Sequence, residues 1–543
     1  MTRRMMFSLL SVFLIVACGS NSSNETGTDE NDSLATGKAD MLNPSKGYVW
    51  GKDIDLDLWL DGFFSPDATT DTTKSSAQVH DDVMAALGNS KSIGEFYKKL
   101  LTLGLNHRYP VWEDVSRLVE GLISARMDVR TNSTALAREA LLLLETLAEE
   151  ALYAFSVQNP DSNLEWKTVY EQIGTDECKR NGTSRAADLN GVRICQGDVL
   201  ISKGSAGSSA FLARITDYPG NYSHSTVAYV APANAGELYL VEAEITDGVK
   251  LRSPKAEYID ARKRKFSVYR FASTNSELQE TVRQGAIAGV DALVQEMYTK
   301  TSDPFNEVAY PYDFSMSAKD HSELFCSEVT YYAYELSGLD SAYNPYPETL
   351  WGTISGINAE FFSNFLNIQS DKLPAPSDIE LNPAFELVAF TIDMPRLGLD
   401  RIDVAMIDVL LALMKENPDV VREYMEVFKD YGNEPVDKAQ IDKQQVLTIA
   451  KAMGMSFTEE KLDGLLAQLP ANINIKQVIF FTFLNEVLHP TLQAEIVKQE
   501  KAYFEKTGKP FGLLTLRVAV KEVLSKMLSE LITKLETLTQ ANP

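Results

Sequence analysis

The stretch "HSTVAYVAPANAGELYLVEAEI", residues 224–245, decides the fold, because here a helical rhythm gives way to alternation. Two runs rich in Val, Tyr and Leu flank the turn-like "APANAG", which reads as two strands joined back to back. Strand alternation places His224, Thr226 and Ala228 on one face. If the strands pair through the turn with an odd loop count, Glu242 and Glu244 fall on that same face, and the sequence leaves open which of them meets the imidazole. Further short strands follow from "GDVLIS" (197–202), "KFSVYRFA" (265–272) and "FELVAFTIDM" (385–394). Together they predict an antiparallel sheet. Thr274 and Glu277 form a T-x-x-E pattern that predicts the start of a long helix, and a second helix starts at Cys326 and ends near Gly338. Strands with segregated helices make this unit α+β.

Outside that unit the apolar spacing is helical. "SIGEFYKKLLTLGL", "WEDVSRLVEGLISARM" and "STALAREALLLLETLAEEALYAFSV" repeat apolar residues at three and four. The run from about 398 to "TLRVAVKEVLSKMLSELITKLETL" does the same. The predicted division is a leader at 1–17, a tether at 18–45, an N-terminal helical region at 46–172, the α+β domain at 173–397 and a C-terminal helical bundle at 398–543.

The leader reading rests on Arg3 and Arg4 before the apolar segment Met5 to Val16, which is too short to span a bilayer comfortably. Ile15-Val16-Ala17-Cys18 resembles a bacterial lipobox, which implies cleavage before Cys18 and its lipidation. The polar stretch that follows cannot bury enough surface to fold and suits a leash. These features predict a bacterial envelope protein tied to a membrane by its N-terminal lipid. The 543-residue chain has a formal charge of −25, so it lacks the basic footprint of a nucleic-acid binder. Asp53, Asp55, Asp57 and Asp61 suggest a calcium loop only superficially, since Leu58 stands where that loop needs glycine. "GSAGSS" (204–209) lacks the lysine of a phosphate loop. No metal or organic cofactor is expected.

Four cysteines are present. Cys178 and Cys195 bracket a polar loop and are expected to form a disulfide in an exported chain, which leaves Cys326 without a partner. At a helix start, with Ser327 and Glu328 in the first turn, a thiol meets the positive end of the helix dipole, which favours the thiolate. Of the five histidines, His80, His107 and His489 lie in the helical flanks and His321 in a loop. Only His224 starts a strand of the same unit as Cys326. A cysteine, a histidine and an acid are therefore plausible neighbours, the arrangement of a thiol hydrolase.

The segments "GDVLIS", "NYSHSTVAYV", "YLVEAEI", "YPYDFSM" and "LFCSEVTYYAY", in that order, resemble the permuted papain-like amidases, the YaeF/YiiX group within the NlpC-type hydrolases. The order His224, Glu242, Cys326 is what circular permutation of a papain-like chain leaves, and lecithin:retinol acyltransferase-like proteins share it. The resemblance covers about 190 to 395. It implies a circularly permuted papain-like fold with Cys326 as nucleophile, His224 as base and Glu242 as third member. Tyr312 and Asp313 match a signature near the active site and are implied to contact substrate. The implied activity is hydrolysis of peptide or amide bonds of cell-envelope material, with a lipid ester or amide, or a non-catalytic scaffold, as the alternatives.

Overall fold

The structure is a computed structural model that describes residues 74–422 and 484–527, apart from short internal stretches, and isolated positions between those spans. The predicted leader, Cys18, the predicted tether, the Asp53–Asp61 stretch and the end of the predicted C-terminal helix lie outside the described residues. Four helices come first: α1 (Ser76–Gly88), α2 (Ile93–Thr102), α3 (Trp112–Val129) and α4 (Ala135–Gln158). Next are β1 (Trp166–Glu171) and two small hairpins, β2 (Lys179–Arg180) with β3 (Thr183–Ser184) and β4 (Ala186–Leu189) with β5 (Val192–Cys195). The middle of the chain supplies β6 (Val199–Lys203), α5 (Gly207–Leu212), β7 (His224–Val230), β8 (Leu238–Glu244), β9 (Gly248–Arg252), β10 (Lys265–Phe271), α6 (Ser276–Lys300) and α7 (Cys326–Glu335). After these come β11 (Gly352–Thr353), α8 (Gly356–Asn364), β12 (Lys372–Leu373), β13 (Phe385–Asp393), α9 (Leu397–Glu416) and α10 (His489–Thr507).

Seven strands form one sheet in the order β1-β13-β10-β6-β7-β8-β9, with every neighbouring pair antiparallel. Its faces follow from the period of two. Val199, Ile201, Val227, Val241 and Tyr269 join the helices in one core, while Leu200, Ala228, Leu240, Phe266 and Val268 join residues of the β4–β5 hairpin and Tyr258 in another. The architecture is thus mixed α and β around an antiparallel sheet, with α7 packed on β7 and β8.

Two expectations change. Trp166–Glu171, inside the region read as helical, pairs with β13 as an edge strand. Its short "WKTVYE" run, beyond the end of α4, is rich in the aromatic and β-branched residues that suit a pleated surface. At the start of α6 the cap is Asn275 rather than Thr274: its Oδ1 accepts from the N–H groups of Glu277 (3.0 Å) and Leu278 (3.1 Å), two donors that the first turn leaves open.

Buried ion pairs cross the predicted division into three regions. Lys265 of β10 reaches Glu145 (3.0 Å) and Glu149 on α4, and Arg264 beside it reaches Asp403 on α9 (2.8 Å). Lys203 of β6 meets Asp400 at 2.7 Å. Arg401 on α9 holds Glu150 on α4 through two bonds of 2.6 and 2.9 Å. Both helical flanks are therefore packed into the interior of the sheet-bearing unit. No helix among the described residues is long and apolar enough to cross a membrane.

Candidate active site

The site forms where α7 begins beside the first residue of β7. Leu324 fixes the approach: its N–H donates to the Pro311 carbonyl (3.0 Å) and its carbonyl accepts from the Asp313 N–H (3.3 Å). The helix then opens at Phe325, whose backbone N–H donates to Glu328 Oε2 at 3.3 Å. Glu328 Oε1 lies 3.0 Å from His321 Nδ1. Burial, opposed by the His321 hydrogen bond, pushes the Glu328 carboxyl up to about 7. At the crossing of α6 and α7, a Cβ on Gly289 would collide with the Ala333 carbonyl oxygen, so glycine permits the close approach that seats the helix.

Cys326 is the free cysteine among the described residues, since Cys178 and Cys195 are joined in a disulfide. Its thiol is buried, at 7% exposure. Burial acts most strongly on it and would raise its pKa, but the hydrogen bond and charge of His224, the backbone N–H of Ser225 and the Ser327 hydroxyl together hold it below the ordinary cysteine value. That is the condition of an activated nucleophile.

His224 Nε2 lies 2.9 Å from Glu242 Oε2. With that nitrogen engaged, Nδ1 is left for the thiol. The strand register accounts for the encounter, because the pairing of Val227 with Val241 and of Ala228 with Leu240 sets His224 and Glu242 on one face. Glu244 stands farther off, with Oε1 3.7 Å from Nε2, and is 35% exposed where Glu242 is fully buried. Arg252 of β9 is 3.6 Å from Glu242 Oε1 and Lys263 is 3.4 Å from Glu244 Oε1. For the hydrolase proposed below, Glu242→Gln is expected to lower turnover by roughly 10²- to 10⁴-fold, whereas Glu244→Gln should stay within about threefold. Steady-state kinetics on the two variants separates them, and equal losses would remove the distinction.

Tyr312 and Asp313 lie in the loop clamped by Leu324. Burial first, then the negative charges of Cys326 and Glu244, hold the Tyr312 phenol well above its ordinary value, so it stays a donor. Asp313 is tied into its own loop. Its carboxylate accepts from Ser315 N and Oγ (2.7 Å each) and from Ser317 N (2.8 Å), so it shapes the loop that carries Tyr312.

His224, Glu242 and Glu244 present ligand atoms within 4.8 Å of one another, a spacing that a divalent cation could bridge. Arg252 and Lys263 already place positive charge against both carboxylates, which opposes a second cation. The cavity lined by Cys178, Cys195, Arg270, Arg283 and Tyr334 touches α7 only at Tyr334, beyond the second turn from the thiol.

Ser225, Arg252 and Tyr346 carry no signal in the sequence. Ser225 acts on the thiol through its backbone, which no side-chain pattern reveals. β9 alternates charge with apolar residues over only five positions. Comparison with family models, with curated proteins and with solved structures finds no match.

Proposed function

We propose that this chain is a cysteine hydrolase acting through Cys326, His224 and Glu242, in a circularly permuted papain-like unit. The observation that carries this reading is a buried thiol at the start of the helix packed on the strand that begins with His224, whose imidazole is held by a buried carboxylate at 2.9 Å. His224 takes the Cys326 proton and the thiolate attacks a carbonyl carbon. The backbone N–H at the start of α7 and the Tyr312 hydroxyl face the oxygen as its charge grows. The bond to the leaving group then breaks as His224 returns the proton. Water, deprotonated by His224, attacks the thioester, the C–S bond breaks and the free acid departs.

Peptide or amide bonds of envelope material suit the site better than an acyl chain, because Glu244, Arg252 and Lys263 give the histidine side a polar rim, whereas an acyl chain calls for an apolar tunnel. The resemblance to a lipobox at Cys18 supports a lipid-anchored protein of the bacterial envelope. The test is the rate of iodoacetamide alkylation of Cys326 between pH 4 and 9 in the wild type and in His224→Ala. A thiolate that titrates below the free value of about 8.5, and returns toward it in the variant, supports the hydrolase. Slow labelling with an ordinary titration, unchanged by the substitution, turns the reading toward a binding scaffold.

A further inference from the structure

Behind the thiol lies a closed circuit of buried polar groups. Thr330, one helical turn past Cys326 on α7, has Oγ1 3.0 Å from Ser225 Oγ on β7. Ser225 Oγ is 2.9 Å from the Tyr346 hydroxyl, which in turn is 3.1 Å from the Pro376 carbonyl oxygen. Two residues before Pro376, the Pro374 carbonyl accepts from Ser327 Oγ, which returns the circuit to α7 beside the nucleophile. Ser225, Ser327, Thr330 and Tyr346 are all fully buried. Asn344 adds a second tie: its Oδ1 accepts from the Tyr346 N–H (3.0 Å) and its Nδ2 donates to the Tyr331 carbonyl on α7 (2.9 Å).

The Tyr346 hydroxyl is placed to donate to both Ser225 Oγ and the Pro376 carbonyl, which share its single proton. Between Ser225 and Thr330 either hydroxyl can donate. The middle member, Ser225, follows His224 directly on β7.

We propose that Thr330, Ser225 and Tyr346 are positioning residues, which fix the nucleophile helix against the strand that carries the base and so set the contact between Cys326 and His224. This rests on the hydrolase reading. A core built only to be stable has no need of this circuit, since buried hydroxyls gain little over apolar groups of the same shape. What a fully satisfied network adds is a single geometry. One side of the circuit is the helix that begins at the nucleophile, and another is the strand that begins at the base.

Thr330→Val keeps the shape and removes one hydroxyl of the circuit, Tyr346→Phe removes another, and Thr330→Ser keeps the hydroxyl. The readouts are the pH profile of Cys326 alkylation, the split of kcat from KM on an activated ester, and the melting temperature. The expected result is a profile displaced upward by about one pH unit in the valine and phenylalanine variants, which lowers labelling at pH 6 about tenfold. KM should hold, and Thr330→Ser should restore the wild-type profile. A lower melting temperature with an unchanged profile in either folded variant would reduce the circuit to core structure and overturn the proposal. Should Tyr346→Phe fail to fold, the Thr330 pair decides alone. A wild-type thiol that titrates ordinarily and ignores His224→Ala sinks both this proposal and the hydrolase reading. A depressed wild-type thiol that responds to His224→Ala but not to Thr330→Val sinks only this one.

Discussion

Cys326→Ala is expected to leave a folded protein whose hydrolysis of p-nitrophenyl esters and peptide anilides falls by roughly 10⁴-fold or more. On the proposed mechanism the loss follows from the chemistry: without sulfur there is no thioester, and His224 and Glu242 have no nucleophile to activate. The substitution also carries a stability signature. Interactions with His224, Ser225 and Ser327 hold the folded thiol below its ordinary value against the effect of burial. A group whose pKa is depressed by folding contributes stability that is fully present above the unfolded value, about 8.5, and is lost as pH falls through the folded value. Thermal melts of wild type should therefore show a pH-dependent gain in that window, and Cys326→Ala should lack it. Unchanged hydrolysis in the alanine variant would refute the mechanism outright. Lost hydrolysis with an identical pH dependence of melting would instead deny the depressed thiol.

What the sequence makes legible and what it hides separate along physical lines. Alternation in 224–245 gave the strands and the shared face of His224 with both glutamates, because side-chain direction in a strand depends only on parity. It left Glu242 and Glu244 equivalent. Burial distinguishes them, and burial depends on β9 and Lys263, which no local pattern joins to β8. The start of α7 was legible from the apolar run that ends at Cys326 and the acid at Glu328. Tyr346 was not, because its place behind the thiol comes from a loop that is folded back through Asn344 and Pro376. The ion pairs between sheet and flanks were equally silent: Lys265 and Glu145 are 120 positions apart, and amphipathic spacing in α4 shows an apolar stripe without naming the cations that face its acids.

Those ion pairs support the second large effect, a loss of about 3–5 kcal/mol in Lys265→Met. Lys265 is fully buried on β10, between Glu145 and Glu149 of α4. Methionine fills much the same space but leaves two carboxylates facing an apolar neighbour. Arg126 still serves Glu145 at 3.0 Å, so Glu149 bears most of the cost. Burial already pushes the Glu149 carboxyl up to about 7 even with the lysine opposing it. For an acid whose pKa is raised by folding, the favourable contribution is fully present below the unfolded value of about 4.3 and is lost as pH rises through the folded value. In Lys265→Met the folded value climbs further, so the penalty measured by urea unfolding should be larger at pH 8 than at pH 5. Adding Glu149→Gln should recover part of it, because a neutral amide does not need the cation. An equal penalty at both pH values, with no recovery in the double variant, would show that Glu149 does not depend on Lys265. The sign of this result also bears on the helical flanks. Lys265 is paired in register with Lys203, and the two lysines are answered from opposite directions, by Glu145 and Glu149 on α4 and by Asp400 on α9. The two lysines side by side in the sheet interior thus take their counter-charges from both helical flanks, which ties those flanks to the sheet.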